Sequence, residues 1–593
     1  MPRAAFILAM AVLAIATPTV GAGPATAAAR PGAPAAAPTP AMWIFFRDHG
    51  ALDVAGPARE RALAEAAQRI TPRALARRAK AARERSGLGS DGTPAPPLLD
   101  DRDLPPDPAY VAAIVSRGAA IRTRSSWLNA VSVASPTESL ACIQALPFVA
   151  EVRAVARESW DEAGINLIPD ANAVSSADPG PDPRPSADPA GEFDAGPSFL
   201  QIDMLHIPEV HAMGDHGEGV VICVLDSGFE LDHEALRQIT VRGERDFVNG
   251  DDDPSYNPRT DVPTQSVHGT AVLSTIAGYL PGKLIGPAYR AEYLLGETER
   301  IGSERPVEED YWCEGIEWAE AEGADIVTSS LSYHAWYHWR DLDGRTAAAT
   351  RAANLALTRG LLVLNAIGNE GPKEGSIGAP ADAPGAISVG AVNGIGNLAG
   401  FSSVGPTYDR RTKPDVVAPG VGVFTAVART YDHYARLNGT SFSTPLVAGC
   451  AALVLSAHPD WGPEAVRDAL AMSASRAGQP DNQYGWGIVN ARDAVLYPLL
   501  EGTVTDAVTR ERLPGAAVRW EPLAGSPRAP AATGESPVTG SVLTDSTGAY
   551  VIPNLARGTY AITVSKAGYI DAPAGPYEVP PNLGDANVAL RPR

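Results

Sequence analysis

Cysteine is scarce in this chain. Its 593 residues include four, Cys142, Cys223, Cys313 and Cys450, far apart and without a C-x-x-C pair. That spacing argues against a structural zinc site and against a dense disulfide framework. The four read mostly as buried free thiols that pack as small hydrophobes. Positive charge is also short: 48 Lys and Arg face 69 Asp and Glu, a formal net charge of −21. No nucleic acid is expected as a general partner, and a soluble, self-repelling protein is. Long apolar runs are missing except at the start, where Arg3 precedes an apolar stretch from Ala4 to Ala16. Small-residue sites follow at Val20-Gly21-Ala22 and Ala25-Thr26-Ala27. The alternative is a transmembrane anchor, but Thr17, Pro18, Gly21 and Gly23 break the run short of a comfortable spanning length. Residues 1–27 therefore read as a signal peptide. The mature protein is expected to be secreted (extracellular, periplasmic or at the cell surface) with no transmembrane segment.

What is present is enough for more than one domain, since 45% of the residues are hydrophobic. Residues 28–160 begin with an Ala/Pro stretch and continue as a small strand-helix-strand module. Met42 to Phe46 is strand-like, Thr71-Pro72 looks like an N-cap and N1 proline for a helix through Arg85, and Ile121–Val133 alternates like a strand. Ser135-Pro136-Thr137-Glu138 reads as a capping box, and Phe148–Val155 as another strand. Between Arg59 and Arg85 stand nine basic and three acidic residues. This is read as a helical face that complements an acidic neighbour rather than as a nucleic-acid arm. Residues 161–197 are rich in Pro, Asp, Ser and Ala, and are expected to be a disordered linker open to proteolysis. Residues 198–498 alternate strands and helices. Strand candidates are Gly219–Leu225, Ala291–Leu295, Ile326–Ser330, Leu361–Ala366 and Ile387–Val392, with helices at Val307–Glu322 and Thr346–Arg359. Strands apolar on both faces, joined by helical crossovers, imply an α/β fold whose parallel sheet has helices on both faces. The active site of such a sheet collects at the carboxyl ends of its strands. Residues 499–593 carry short strands and Gly/Pro turns, including an apparent hairpin over Leu543–Ile552, and read as a β-sandwich.

Four stretches carry chemistry. Gly439-Thr440-Ser441 precedes an apolar helical run, and Pro445 is expected in that helix's first turn, where amides lack partners. Ser441 then sits among unpaired N–H groups at the positive end of a helix dipole, a setting that favours an oxyanion. A plain cap is the alternative for that serine alone. Val220 to Asp226 is a buried strand ending in a carboxylate, which can orient an imidazole or cap the turn at Gly228. His268 opens the apolar helix Val267–Gly278; an imidazole can take and return a proton near neutral pH, and a helix-capping or core histidine is the alternative for that residue alone. Asn369 follows Gly368 after the strand Leu361–Ala366, and its amide is a neutral donor suited to an oxyanion, with an asparagine tolerated at positive φ as the alternative.

In the order Asp226, His268, Asn369, Ser441, with these local contexts, the chain resembles the subtilisin-like serine proteases. Two further matching stretches are Ile326–Ser332 and Lys413–Gly420. The resemblance implies a serine endopeptidase acting on protein or peptide substrates. Ser441 would be the nucleophile, His268 the general base and acid, Asp226 the group that orients it, and Asn369 an oxyanion-hole donor. Ser330, Leu331, Ser332 and Gly368 would bind substrate. Residues 28–160 look like a propeptide acting as an intramolecular inhibitor and chaperone, which implies a zymogen. Residues 499–593 look like a transthyretin-like, carboxypeptidase-regulatory-like domain. Where the family usually has Met and Ala after the serine, this chain has Phe442 and Ser443. Ser332 replaces the usual Gly, Val267 precedes the histidine, and Ala271 stands where a second His is common. The resemblance implies that no cofactor is required. Calcium is a possible structural ion at Asn249–Asp253 or Asp341–Gly344, though neither loop has a full ligand set at calcium-loop spacing. Tyr333–Trp339 either lines the cleft or packs as a loop. The competing function is a surface binding module whose peptidase domain serves mainly self-processing.

Overall fold

The computed structural model describes residues 41–86, 98–154, 194–302, 305–523, 539–553, 555, 558–579 and 586–593. The expected signal peptide and linker residues 161–193 lie outside the described residues.

Alternation along the first strand shows why the N-terminal module has an all-apolar run. This strand, β1 (Ala41–Phe46), sits in a four-stranded antiparallel sheet with β2 (Ala120–Ser125), β3 (Ala130–Ala134) and β4 (Val149–Ala154), in the order β2-β3-β1-β4. Ile44 and Phe46 face one core with Ile114 and Ile143, which come from helices in this module. Trp43 and Phe45 face the opposite way, into the core of the next domain. A strand covered on both faces has no polar side to show. The single strand expected over 121–133 is two strands joined through Trp127-Leu128-Asn129, with Asn129 at φ 44°. The expected capping box is absent. Pro136 takes the N-cap position of the helix Thr137–Gln144, with no side-chain cap, because the Ser135 hydroxyl turns to the Pro136 carbonyl instead.

The central sheet has seven parallel strands: β5 (Val221–Asp226), β6 (Thr240–Asp246), β7 (Glu292–Glu297), β8 (Ile326–Ser329), β9 (Leu362–Ala366), β10 (Ala386–Val392) and β11 (Val416–Pro419). Their order is β11-β10-β9-β8-β5-β7-β6. Two of these, β6 and β11, were not among the strand candidates. The edge strand β6 alternates exposed and half-buried residues and so lacks the apolar run that marks its neighbours. Ile222 and Val224 face one core, with the helices Val267–Ala277 and Thr440–Ala457. Val221, Cys223 and Leu225 face the other, with the helices Val307–Glu322 and Ala348–Thr358. Three of the four cysteines are buried and all four are free; Cys142 is exposed. One described helix, Thr440–Ala457, is long and apolar enough to cross a bilayer, and it is buried within this domain.

The C-terminal region forms two four-stranded sheets. Gly540–Leu543 and Ala549–Ile552, expected to pair as a hairpin, belong to different sheets. The tight Asp545–Gly548 turn therefore crosses from one sheet to the other.

Candidate active site

Adjacent strands β9, β8 and β5 end at the same edge of the sheet, and each hands on a chemically distinct segment. Asp226 is the last residue of β5 and fully buried. Residues 330–332 continue β8, and Gly368-Asn369 follow β9. His268 is the second residue of the helix Val267–Ala277 and Ser441 the second of Thr440–Ala457. Thus all the residues singled out in the sequence gather at the carboxyl ends of the strands.

Asp226 Oδ1 accepts from His268 Nδ1 at 2.7 Å and from the Ser227 N–H at 2.8 Å. With Nδ1 committed, Nε2 is the nitrogen left to exchange a proton. Burial works against a charge on His268, but the Asp226 charge and hydrogen bond outweigh it, so its pKa is raised. The His268 ring lies 6.1 Å from the Phe442 ring, centroid to centroid, which sets the imidazole beside the residue that follows Ser441.

Ser441 is tied to the strand beside it. Its carbonyl accepts from the Ser330 hydroxyl at 2.8 Å, and its own hydroxyl points to the Ser330 carbonyl at a long 3.4 Å. The cause lies four residues on. Pro445 sits inside the helix rather than in its first turn, as the sequence had indicated. With no N–H, it cannot donate to the carbonyl of Ser441. The Ser330 hydroxyl takes that place, joining β8's extension to the helix.

Asn369 has an orientation that chemistry alone assigns. Its side-chain oxygen accepts from the Thr440 N–H at 3.0 Å and from the Thr440 hydroxyl at 3.1 Å. A backbone N–H can only donate, so the atom facing it is the amide oxygen, and the NH2 end is left for another acceptor. Ser441, at the start of its helix, has an N–H without an intrahelical partner. These two donors can hold one oxyanion. Thr440 was not singled out in the sequence; Gly-Thr-Ser gave no sign that the threonine would hold the asparagine.

A second buried carboxyl lies beside Asp226. Glu297, at the end of β7 and paired in register with Asp226, has its pKa raised by burial, and further by Asp246, to about 10. It is therefore neutral at physiological pH. Glu297 Oε1 accepts from Gln265 Nε2 at 3.0 Å, and Gln265 Oε1 accepts from the Ile301 N–H at 3.1 Å. This pair fixes the loop after β7 against the segment before His268.

Neither calcium candidate fits the ion. Asp252 pairs with Arg245 at 2.6 Å, Asp253 caps Ser255, and Asp251 caps Asp253. Asp343 accepts from the Arg345 and Thr346 N–H groups and Asp341 from the His338 N–H. At least one oxygen of each of these carboxylates thus serves an N–H donor. Among the described residues no three His, Cys, Asp or Glu side chains form a metal-holding group. The aromatic stretch packs as a loop: Tyr337 and Trp336 donate to Glu309, and Tyr333 to the Glu308 carbonyl.

Comparison with known proteins agrees over three segments. Residues 217–487 match the subtilase family, residues 41–166 the peptidase S8 propeptide domain of Bacteroidota, and residues 500–590 the carboxypeptidase regulatory-like domain. Subtilisin from Bacillus pumilus is 35% identical over 298 residues, 49% of this chain and 97% of that protein. Subtilisin NAT from Bacillus subtilis subsp. natto is 36% identical over 298 residues, covering 49% of this chain and 70% of its own. Among solved structures, fervidolysin from Fervidobacterium pennivorans, a keratinolytic enzyme related to subtilisin, has a similar fold. It aligns with a TM-score of 0.50 at 20% identity, over 82% of this chain and 77% of its own.

Proposed function

The chain belongs to the subtilase family and is a serine endopeptidase made as a zymogen; from that premise we propose that it is secreted and cuts proteins through an Asp226–His268–Ser441 triad and an acyl-enzyme. The observation that carries this reading is the buried Asp226–His268 hydrogen bond set beside a serine at a helix start.

His268 Nε2 takes the proton as Ser441 Oγ attacks the scissile carbonyl, and Asp226 steadies the imidazolium that forms. The oxyanion is held by the Asn369 NH2 and the Ser441 N–H. His268 then gives its proton to the leaving amine. An acyl-enzyme remains, which water hydrolyses by the same route in reverse. No cofactor enters these steps. The domain order we propose is signal peptide 1–27, propeptide 28–160, linker 161–197, peptidase 198–498 and regulatory-like sandwich 499–593. The propeptide would serve as an intramolecular inhibitor until the linker is cut.

The test is the intact mass and N-terminal sequence of the secreted wild type beside Ser441→Ala. The expected result is a wild type shortened within the linker and a full-length variant. Equal shortening of both would assign processing to another protease and remove self-activation from the account.

A further inference from the structure

The ladder between β8 and β9 stops at Ser329 and Asn365, and the two chains part beyond it. The gap between them has a floor. Gly378 donates its N–H to the Ile367 carbonyl at 3.2 Å, and Ala379 exchanges two backbone hydrogen bonds with Tyr333, at 2.8 and 2.9 Å. Residues 330–332 thus form one wall, 366–368 the other, and 378–379 the base. The mouth of this gap lies beside Ser441 and Asn369.

On the catalytic reading above, on which this inference rests, a bound peptide has its scissile carbonyl carbon at Ser441 Oγ and its carbonyl oxygen at the Asn369 amide. The side chain of the residue supplying that carbonyl, P1, then has the gap between the two strand extensions to enter. Ser332 occupies that gap. Its hydroxyl is buried and has no hydrogen-bond partner. A β-carbon built on Gly378 would fall inside the space this hydroxyl fills, and one built on Gly368 would come within 3.1 Å of it. Gly368 has φ +114°, a conformation that itself disfavours a side chain. The hydroxyl therefore stands between two bare glycine faces, where a deep pocket would otherwise open.

We propose that Ser332 caps the P1 pocket and makes this enzyme selective for small P1 residues: glycine, alanine and serine. A large side chain has no room without displacing the Ser332 side chain from a packed wall. Selectivity by pocket depth of this kind is worth about 10- to 200-fold per methylene-sized change.

The experiment measures kcat/KM for peptides that differ only at P1 (Ala, Ser, Leu, Phe), using the secreted, processed enzyme and its Ser332→Gly and Ser332→Ala variants, with Ser441→Ala as control. The expected wild-type order is Ala and Ser well above Leu and Phe. Ser332→Gly is expected to raise the Phe-to-Ala ratio by about 10-fold or more, with Ser332→Ala in between. A purely structural role for Ser332 would lower activity on all four peptides together and leave the ratio unmoved, which overturns the proposal; so does a wild type that cleaves Phe as well as Ala. If Ser332→Gly does not fold, the ratio in Ser332→Ala decides alone, a rise supporting the proposal and no change overturning it. Cleavage of none of the peptides, or cleavage that Ser441→Ala retains, overturns the peptidase reading and this inference with it.

Discussion

Asp226 and His268 set a pH dependence whose direction follows from the pair. A general base must be neutral, so activity falls as pH drops through the raised His268 pKa. In Asp226→Asn the charge that raises this pKa is gone while burial, which lowers it, remains. The acid limb of kcat/KM against pH is expected to move to lower pH, and kcat to fall about 10⁴-fold. A limb that stays in place would show that Asp226 does not set the basicity of His268. Asn369→Ala is expected to lower kcat about 10²- to 10³-fold with little change in KM, since its amide meets the oxyanion rather than the ground-state carbonyl. Steady-state kinetics on one peptide separates the two parameters. At this scale much was legible beforehand: Asp226, His268, Asn369 and Ser441 each stand in a short context with its own chemical logic. What the sequence could not show is how distant residues hold them. The Thr440 grip on Asn369 and the burial of the Ser332 hydroxyl between two glycines exist only after folding joins segments many residues apart.

At the scale of elements, the helix Thr440–Ala457 and the strand β8 share one repair. Pro445 costs the helix a hydrogen bond at the Ser441 carbonyl, and the Ser330 hydroxyl supplies the missing donor at 2.8 Å. Ser330→Ala is expected to destabilise by about 1–2 kcal/mol, the price of a buried carbonyl left without a donor. Adding Pro445→Ala restores a backbone N–H four residues on, so the double variant should lose less than the sum of the two singles. Thermal unfolding of the four proteins in a Ser441→Ala background gives the coupling, and strict additivity would contradict the repair. The same proline shows how far local rules reach. A first-turn proline was the natural reading, because there it costs nothing; the structure places it a turn later because a neighbouring strand compensates. Strands β5, β8, β9 and β10 were readable because both faces are buried. The edge strand β6 was hidden by its polar side, and the turn over Asp545–Gly548 looked like a hairpin because turn chemistry does not say which sheet the next strand joins.

For the whole molecule, the excess of negative charge has an internal counterpart. The acid-rich helix Val307–Glu322 meets the basic helix Pro72–Ser86 of the N-terminal module. Arg77 and Arg78 both pair with Glu320, all three being buried, and Arg78 also pairs with Asp103 at 2.9 Å. Arg122 and the Ser132 hydroxyl meet Asp310 at 2.9 and 2.6 Å. At the far end Glu84 accepts from the Ala465 N–H at 2.7 Å, at the start of the helix Pro463–Met472. The basic stretch is thus the complement of an acidic neighbour, as its charge pattern indicated. Glu320→Ala would leave the buried Arg77 guanidinium without its carboxylate and Arg78 with Asp103 alone, and is expected to cost about 3–5 kcal/mol in the uncleaved protein. Trp43, Trp127 and Trp312 lie in the core shared by the two domains, so three of the chain's ten tryptophans contribute a junction signal to fluorescence in urea. A midpoint unchanged by Glu320→Ala would show that the charge pairs do not hold the module in place.

Every proposed catalytic step depends on Ser441 being the one activated nucleophile. The direct measurement is peptide mapping by mass spectrometry after treating the processed enzyme with an organophosphonate that phosphonylates activated serines. A single adduct on Ser441, formed in step with loss of activity and absent from His268→Ala, is the expected result. An adduct on another serine that accounts for the lost activity, or full inhibition with Ser441 unmodified, would contradict it.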